Sequence, residues 1–219
     1  MRTNSIKMSK RNLAILTILF TIILDQVIKI YIKTNFFLGE EVLVFDWFRI
    51  HFVENNGMAM GFEFGGKAGK LFLTVFRLVA VTAIMYWLVG TIKTKVHNAV
   101  IIAISLIFSG AVGNIIDSVF YGAIFDDSTN KVATLFADVP YGTLFHGKVV
   151  DMFYFPIWSG DLPSWIPFIG GDSFTFFQYI FNPADAYITI GVALLFIFSK
   201  QAFPKEDKKG VEFSETSKE

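Results

Sequence analysis

Ionisable side chains interrupt the long apolar runs of this sequence, and they are the residues best able to do chemistry. Asp25 and Lys29 stand four residues apart, so a helix would place them on one face with the acid on the N-terminal side. A charge inside a membrane span costs at least about 2.5 kcal/mol unless it is paired or has a purpose. The simpler interpretation of Asp25 and Lys29 is a neutralised pair that ties helices together. The alternative is a site that handles protons or substrate.

The third apolar run ends in the sequence GAVGNIID, which combines small and polar residues. Gly110, Asn114 and Asp117 share one helix face, and Gly113 adds a small residue close by. Small residues let two helices approach closely, and amide or carboxyl groups can then bond across the contact. We expect a packing role for the two glycines, whereas Asn114 and Asp117 fit a structural contact and a functional site equally well.

Two further aspartates stand at the edges of apolar segments. Asn182 suits a helix N-cap, Pro183 suits the first helical position, and Asp185 falls in the first turn. Asp185 therefore either complements the helix dipole or belongs to a site. Asp151 lies within the apolar and aromatic sequence VVDMFYF, where a carboxylate either faces outward from a strand or is held in a site.

Composition places the chain in a membrane. Of its 219 residues, 53% are hydrophobic and 17% are charged, and the apolar residues are concentrated in long runs. The formal net charge is zero, which gives no indication of nucleic-acid binding. The absence of Cys excludes disulfides and thiol nucleophiles, and His51, His97 and His146 lie too far apart for metal-ligand spacing. We expect no metal and no other cofactor.

Four segments are long and apolar enough to span a bilayer, at residues 12–33, 68–90, 97–120 and 183–203. Basic residues precede the first, separate the second from the third, and follow the fourth, so these flanks and both termini are predicted to be cytoplasmic. The connections 34–67 and 121–182 then lie outside. Residues 1–203 are expected to form a single membrane domain, followed by a disordered cytoplasmic tail at 204–219.

The outer connections carry strand patterns. Residues 41–53 alternate apolar and polar side chains, as in a strand or hairpin, and residues 149–155 are β-branched and aromatic. Trp47, Trp158 and Trp165 suit an aromatic belt at the membrane interface. With this topology the polar groups from across the chain fall at one depth, near the outer membrane surface. They are Asp25, Lys29, Asn55, Asn114, Asp117, Asp151 and Asp185.

Five ordered blocks resemble those of lipoprotein signal peptidases, also called signal peptidase II. They read DQVIK (25–29), ENNGMAMG (54–61), GAVGNIID (110–117), VVDMF (149–153) and FNPADAYITIG (181–191). The resemblance implies an all-α integral membrane protein of the bacterial inner membrane. Its fold would be a four-transmembrane-helix bundle with a small extracytoplasmic β-sheet, the β-cradle.

The resemblance also implies an aspartic endopeptidase whose catalytic pair is Asp151 and Asp185. Its substrates would be prolipoproteins that carry diacylglycerol on the lipobox Cys, cut just before that Cys at the outer leaflet. The expected surroundings are membrane lipids, and the expected state is a monomer. Residues that would line or support the site are Asp25, Lys29, Asn55, Gly57, Ala59, Gly110, Asn114, Asp117, Asn182 and Ala184.

Two close carboxylates can supply both the base and the acid of peptide hydrolysis, because a neighbouring negative charge raises one pKa. We expect Asp185 to stay ionised at its helix N-terminus and Asp151 to hold the proton in its apolar strand. The chain departs from the family in having Ser118 where an arginine is usual, and in the longer stretches 122–147 and 157–173.

Two other classes of function remain open. A proton-coupled transporter would also carry carboxylates in its spans, but near the midplane and often with repeat symmetry, which is not visible here. A non-enzymatic membrane scaffold would tolerate the loss of Asp151 and Asp185.

Overall fold

Three long apolar helices dominate the computed structural model, which describes residues 8–56 and 66–202. They are α1 (Lys10–Lys33), α2 (Gly66–Ile92) and α3 (Asn98–Ile116). α3 continues through a π-helical turn at Asp117–Tyr121 into a short helix, α4 (Gly122–Ile124). Each of the three is long and apolar enough to cross a membrane, which confirms three of the four predicted spans.

The fourth predicted span is shorter in the structure. α5 is apolar but covers Pro183–Ile197, 15 residues, where a span takes about 20. It ends at Phe198, whose backbone leaves the helical region, and the four-residue α6 (Ser199–Ala202) follows. The tail predicted at 204–219 lies outside the described residues.

α3 is the centre of the helix bundle, because it packs against α1, α2 and α5. Its buried residues occupy most of its circumference, whereas large apolar side chains on α1, such as Leu19, Phe20 and Ile23, are exposed. An apolar surface of this kind suits a lipid environment. α1 therefore turns large apolar side chains outward, whereas α3 buries large ones such as Ile101, Ile104 and Phe108.

A four-stranded antiparallel sheet lies at the end of the bundle where α1 and α3 end and α5 begins. Its strands are β1 (Glu41–Phe45), β2 (Phe48–Asn55), β3 (Val149–Tyr154) and β6 (Ile180–Phe181), in the order β1-β2-β3-β6. The hairpin predicted at 41–53 and the strand predicted at 149–155 are confirmed.

The short strand β6 brings the two ends of a long excursion together. Phe153 pairs with Phe181 and Tyr154 with Ile180, so the chain leaves β3 and returns beside it just before α5. Between them lies a separate two-stranded hairpin of β4 (Trp158–Asp161) and β5 (Ser173–Phe176). We call residues 155–179 the arm. Sequence patterns did not predict its strands.

The other long insertion is tied to the sheet by a buried charge cluster. Lys33, at the end of α1, forms an ion pair with Glu54 of β2 and donates to the Ser128 hydroxyl at 2.8 Å. Lys148, just before β3, lies 3.1 Å from the other Glu54 oxygen. Because Glu54 forms ion pairs with both cations, the segment 125–148 is held against α1 and the sheet.

Candidate active site

A buried ion cluster lies where α1 meets α3, directly below the sheet. Lys29 Nζ is 3.1 Å from Asp25 Oδ2 and 2.8 Å from Asp117 Oδ2, and all three side chains are essentially buried. The predicted pair of Asp25 and Lys29 is thus confirmed, with Asp117 as a third member. One cation is shared by two carboxylates, so further hydrogen bonds must satisfy the remaining oxygens.

Gln26 supplies some of these bonds, and sequence reasoning missed it. Its Nε2 donates to Asp25 Oδ2 and to Asp117 Oδ1, each at 3.0 Å, and its Oε1 accepts the Tyr121 hydroxyl at 3.1 Å. An amide next to Asp25 inside an apolar run was the available signal. Tyr121 gave none, because a tyrosine near the end of a span is ordinary.

The same cluster holds the two elements that carry the other aspartates. Asp25 Oδ1 accepts the N–H of Ala184 in the first turn of α5, at 3.0 Å. Asp117 Oδ2 accepts the N–H of Val150 in β3, at 3.3 Å. Since both acceptors are fixed by Lys29, the start of α5 and the middle of β3 are anchored to one charge.

Asp151 and Asp185 are held by amide groups. Asp151, which is buried, accepts from Asn182 Nδ2 at 2.6 Å and from Asn55 Nδ2 at its other oxygen. Asp185 accepts from Asn114 Nδ2 at 2.9 Å and from the Asn182 backbone N–H at 3.4 Å. Asn182 therefore bonds both carboxylates and fixes them relative to each other.

Asp185 also caps its helix. The Asn182 side chain accepts the Asp185 N–H at 3.0 Å and Asp185 bonds back to the Asn182 N–H, which completes a capping box with Pro183 at the start of the helix. The predicted N-cap is confirmed. The two interpretations of Asp185, helix capping and membership of a polar site, are compatible, because each carboxylate oxygen has its own partner.

Asn114 links the two groups. Its Oδ1 accepts from Lys29 Nζ at 2.9 Å and from Asn182 Nδ2 at 3.1 Å, while its Nδ2 donates to Asp185. The polar residues that the sequence placed at one depth thus form a single hydrogen-bonded network.

Burial raises the pKa of Asp151 to about 7, and the negative charge of Asp185 adds to the increase. Hydrogen bonds from Asn182 and Asn55 and the charge of Lys29 act in the opposite direction and only partly offset it. A carboxyl with this pKa is often protonated near neutral pH, so it can donate a proton as well as accept one.

Two glycines allow α1 and α5 to approach α3. A Cβ on Gly113 would lie 2.5 Å from Asp25 Oδ2 and 3.3 Å from the Ala184 Cβ, and one on Gly110 would lie 2.8 Å from Ile188 Cγ1. The close approach predicted for both glycines is present. It is needed at this point because α5 brings Asp185 to Asn114.

The remaining positions singled out in the sequence are Gly57, Ala59 and Ser118. Gly57 and Ala59 lie outside the described residues. The Ser118 hydroxyl is buried and donates to the Asn114 carbonyl at 2.9 Å. Arg77 of α2, which sequence reasoning missed, interacts electrostatically with Asp185, Asp117 and Asp151.

Comparison with known families agrees with this geometry. The family model for signal peptidase (SPase) II matches residues 17–200, which include every residue of the network described above. The chain belongs to the signal peptidase II family. As a signal peptidase II it is a membrane peptidase, and its apolar helices fit that setting.

Curated relatives cover most of the chain. A lipoprotein signal peptidase of Porphyromonas gingivalis is 50% identical over 182 residues, which make up 82% of this signal peptidase II and 79% of the relative. A lipoprotein signal peptidase of Amoebophilus asiaticus is 34% identical over 206 residues, 91% of this chain and 82% of the relative.

Solved structures are similar as well. A bacterial membrane enzyme determined at 1.9 Å resolution aligns with a TM-score of 0.54 and 27% identity, over 84% of this chain and 90% of the other. A second, determined at 2.3 Å, gives a TM-score of 0.54 and 28% identity, over 91% and 94% of the two chains.

Proposed function

We propose that this chain is an aspartic endopeptidase that removes signal peptides from prolipoproteins, with Asp151 and Asp185 as its catalytic pair. The carrying observation is that Asn182 bonds both carboxylates, Asp151 through its side-chain amide and Asp185 through its backbone N–H. Carboxylates held by amides keep the ability to exchange protons, which peptide hydrolysis requires. The names of the relatives support prolipoproteins as the substrate class.

The geometry supports distinct roles for the two aspartates. Asp185 stands at a helix N-terminus, which favours its ionised form, and it would activate the attacking water. Asp151, whose pKa is raised to about 7, would hold the shared proton and deliver it to the leaving amine. The negative charge of Asp185 contributes to the raised pKa of Asp151, so the two carboxylates act together. A hydrogen bond from Asn55 steadies Asp151 during this exchange.

The membrane arrangement is part of the proposal. α5, extended by α6, forms a fourth span, both termini are cytoplasmic, and the sheet lies on the outer surface of the inner membrane. The scissile bond of a diacylglyceryl-modified prolipoprotein would reach this level, because its lipid stays in the outer leaflet. Cleavage just before the lipidated Cys then requires no pore. The working unit in this proposal is the monomer.

The test is a cleavage assay with a diacylglyceryl-modified prolipoprotein in detergent micelles. Wild type should cut, and Asp151→Asn and Asp185→Asn should fold but lose activity by about 10²–10⁴-fold, as expected when a proton-transferring residue is removed. Asp126→Asn is a matched control, because Asp126 is hydrogen-bonded but lies in the exposed insertion. It should cut as wild type does.

The alternatives predict other results. If both asparagine variants retain full cleavage, the pair is misassigned. If wild type binds the prolipoprotein without cutting it, a scaffold is favoured. If wild type leaves the prolipoprotein intact and instead moves protons across liposomes in a way that depends on Asp185, the transporter is favoured.

A further inference from the structure

The hairpin of the arm has one aromatic and one polar face. β4 and β5 pair Trp158 with Phe176 and Gly160 with Phe174, and side chains of directly paired residues lie on the same face of a sheet. The alternate pairs, Ser159 with Thr175 and Asp161 with Ser173, lie on the opposite face. Strict alternation of apolar and polar side chains normally marks a strand pair that packs one face against an apolar region.

The aromatic face is tightly formed. The rings of Trp158 and Phe174 have centroids 6.5 Å apart, and a Cβ on Gly160 would lie 2.7 Å from the Trp158 indole. Glycine at this position thus leaves room for the indole to lie flat across the hairpin. On the other face the Ser159 and Thr175 hydroxyls are 3.0 Å apart, and Ser173 donates to Asp161 at 2.9 Å.

The described protein leaves this aromatic face largely uncovered. Trp158 is 50% exposed, Phe174 40% and Phe176 54%. An isolated two-stranded hairpin is marginally stable in water and gains stability when its apolar face packs on something. Exposed aromatic patches beside a polar face mark interaction surfaces.

The rest of the arm has the same character. Trp165, in the turn between β4 and β5, is 79% exposed, and Phe168 is fully exposed. Between residues 149 and 199 the sequence contains no Lys or Arg, and the only charged residues of the arm are Asp161 and Asp172. Because the arm has no basic residue, attraction to anionic groups would not help it to bind a surface. We expect the surface that covers its aromatic face to be apolar.

We propose that the arm docks its aromatic face on the phospholipid bilayer, at the boundary between headgroups and acyl chains. The arm is rooted at β3 and β6, and β6 ends two residues before the apolar helix α5, so a bilayer around the helices begins close to its base. Trp and other amphipathic aromatic side chains prefer that boundary. The proposal does not depend on which residues are catalytic.

Tryptophan fluorescence tests the docking. The chain has four Trp, so replacing Trp47, Trp87 and Trp165 by Phe leaves Trp158 as the only reporter. The full chain is reconstituted in zwitterionic phosphatidylcholine, with and without bromine on the acyl chains. Brominated lipid should remove about half or more of the emission, because interfacial side chains enter about 5–10 Å into the bilayer. Acrylamide should quench it weakly, and added salt should change nothing.

The opposite face supplies a matched control. In a second variant Trp158 is also replaced by Phe and Ser159→Trp provides the reporter, one residue away on the polar face. Acrylamide should quench this Trp strongly and brominated lipid weakly. Thr175→Trp on the same face replaces it where thermal unfolding shows that Ser159→Trp has disturbed the fold.

Three results would overturn the proposal. Equal access of acrylamide to both faces would show that the aromatic face lies in water. Protection of Trp158 from acrylamide without quenching by brominated lipid would show that protein covers it, as in a dimer. Quenching that requires added prolipoprotein would assign the face to the substrate. None of these readouts requires cleavage, so a failure here is distinct from a failure of the catalytic assignment.

Discussion

Four carboxylates belong to one buried polar network, but they are held in two ways. Asp25 and Asp117 share the cation of Lys29 at 3.1 and 2.8 Å. Asp151 and Asp185, next to them, bond amides of Asn55, Asn114 and Asn182. The first pair contacts a counter-ion directly, whereas the amides that bond the second pair are neutral and Arg77 interacts with that pair electrostatically.

Asp25 and Asp117 position the site, whereas Asp151 and Asp185 are the proposed catalytic pair. A cation that pairs with a buried carboxylate holds it at one place in the fold, because breaking the pair would leave an uncompensated buried charge. A neutral amide orients a carboxylate by a hydrogen bond and adds no positive charge next to it. The cluster of Lys29 can therefore anchor α5 and β3 through the Ala184 and Val150 amides, while Asp151, whose pKa is raised to about 7, can still exchange a proton.

The largest expected effect comes from removing the shared cation. Lys29→Met leaves Asp25 and Asp117 buried without a counter-ion, which should cost about 3–5 kcal/mol of folding free energy. Equilibrium unfolding in mixed micelles measures it. Lys131→Met, which breaks an exposed pair with Asp126, should change unfolding little. Equal stability of the two variants would contradict a special role for Lys29.

Asp151 should instead make the free energy of unfolding depend on pH. Because the pKa of Asp151 is raised from 3.8 to about 7, the protonated form stabilises the fold below pH 4, and this contribution is lost as the pH rises to about 7. The loss is at most about 4 kcal/mol. Asp151→Asn cannot ionise, so its unfolding midpoint relative to wild type should rise between pH 4 and 8. A constant difference would show that Asp151 does not titrate in this range.

A smaller effect is expected at Gly113, where α3 contacts both α1 and α5. Gly113→Ala would place a methyl group 2.5 Å from Asp25 Oδ2, and overpacking of this kind costs about 1–3 kcal/mol. Gly90→Ala in α2 meets nothing within 4 Å and should stabilise the helix by up to about 1 kcal/mol. Thermal unfolding of both variants would distinguish them, and the same sign for both would argue against close approach.

The smallest effect should come from one amide donor. Asn55→Ala removes a hydrogen bond that favours the ionised form of Asp151, so the pKa of Asp151 should rise further, by less than about one unit. If Asp151 carries the shared proton, the alkaline limb of the pH–rate profile moves to higher pH. Asn35→Ala, at an exposed residue bonded to the Tyr31 carbonyl, should leave the profile unchanged. A shift to lower pH would reverse the proton assignment.

The sequence predicted much of this arrangement because its signals are local. Apolar runs specified the helices, and the Asn182–Pro183 cap specified the start of α5. Alternation specified β1 and β2, and β-branched and aromatic residues specified β3. The predicted topology placed Asp25, Asn114 and Asp151 at one depth, and the structure joins them in one network. These inferences rest on periodicity and on the cost of burying charge, which act on nearby residues.

The features that escaped prediction depend on distant partners. β6 has two residues and exists because β3 lies beside it, so its own sequence gave no signal. Gln26 and Tyr121 matter only because a hydrogen bond joins residues 95 positions apart. Glu54 was part of a recognised block, but its bonds to Lys33 and Lys148 depend on how the insertion folds back.

The pairing of β3 with β6 has a consequence for how this protein can vary and be engineered. It joins the chain on either side of residues 155–179, so the distance between Asp151 and Asp185 does not depend on the length of what lies between. The segment 155–179 can therefore be lengthened, shortened or exchanged without moving the two aspartates apart. For the same reason, the turn at 162–172 is the natural insertion point for an epitope or a fluorescent reporter.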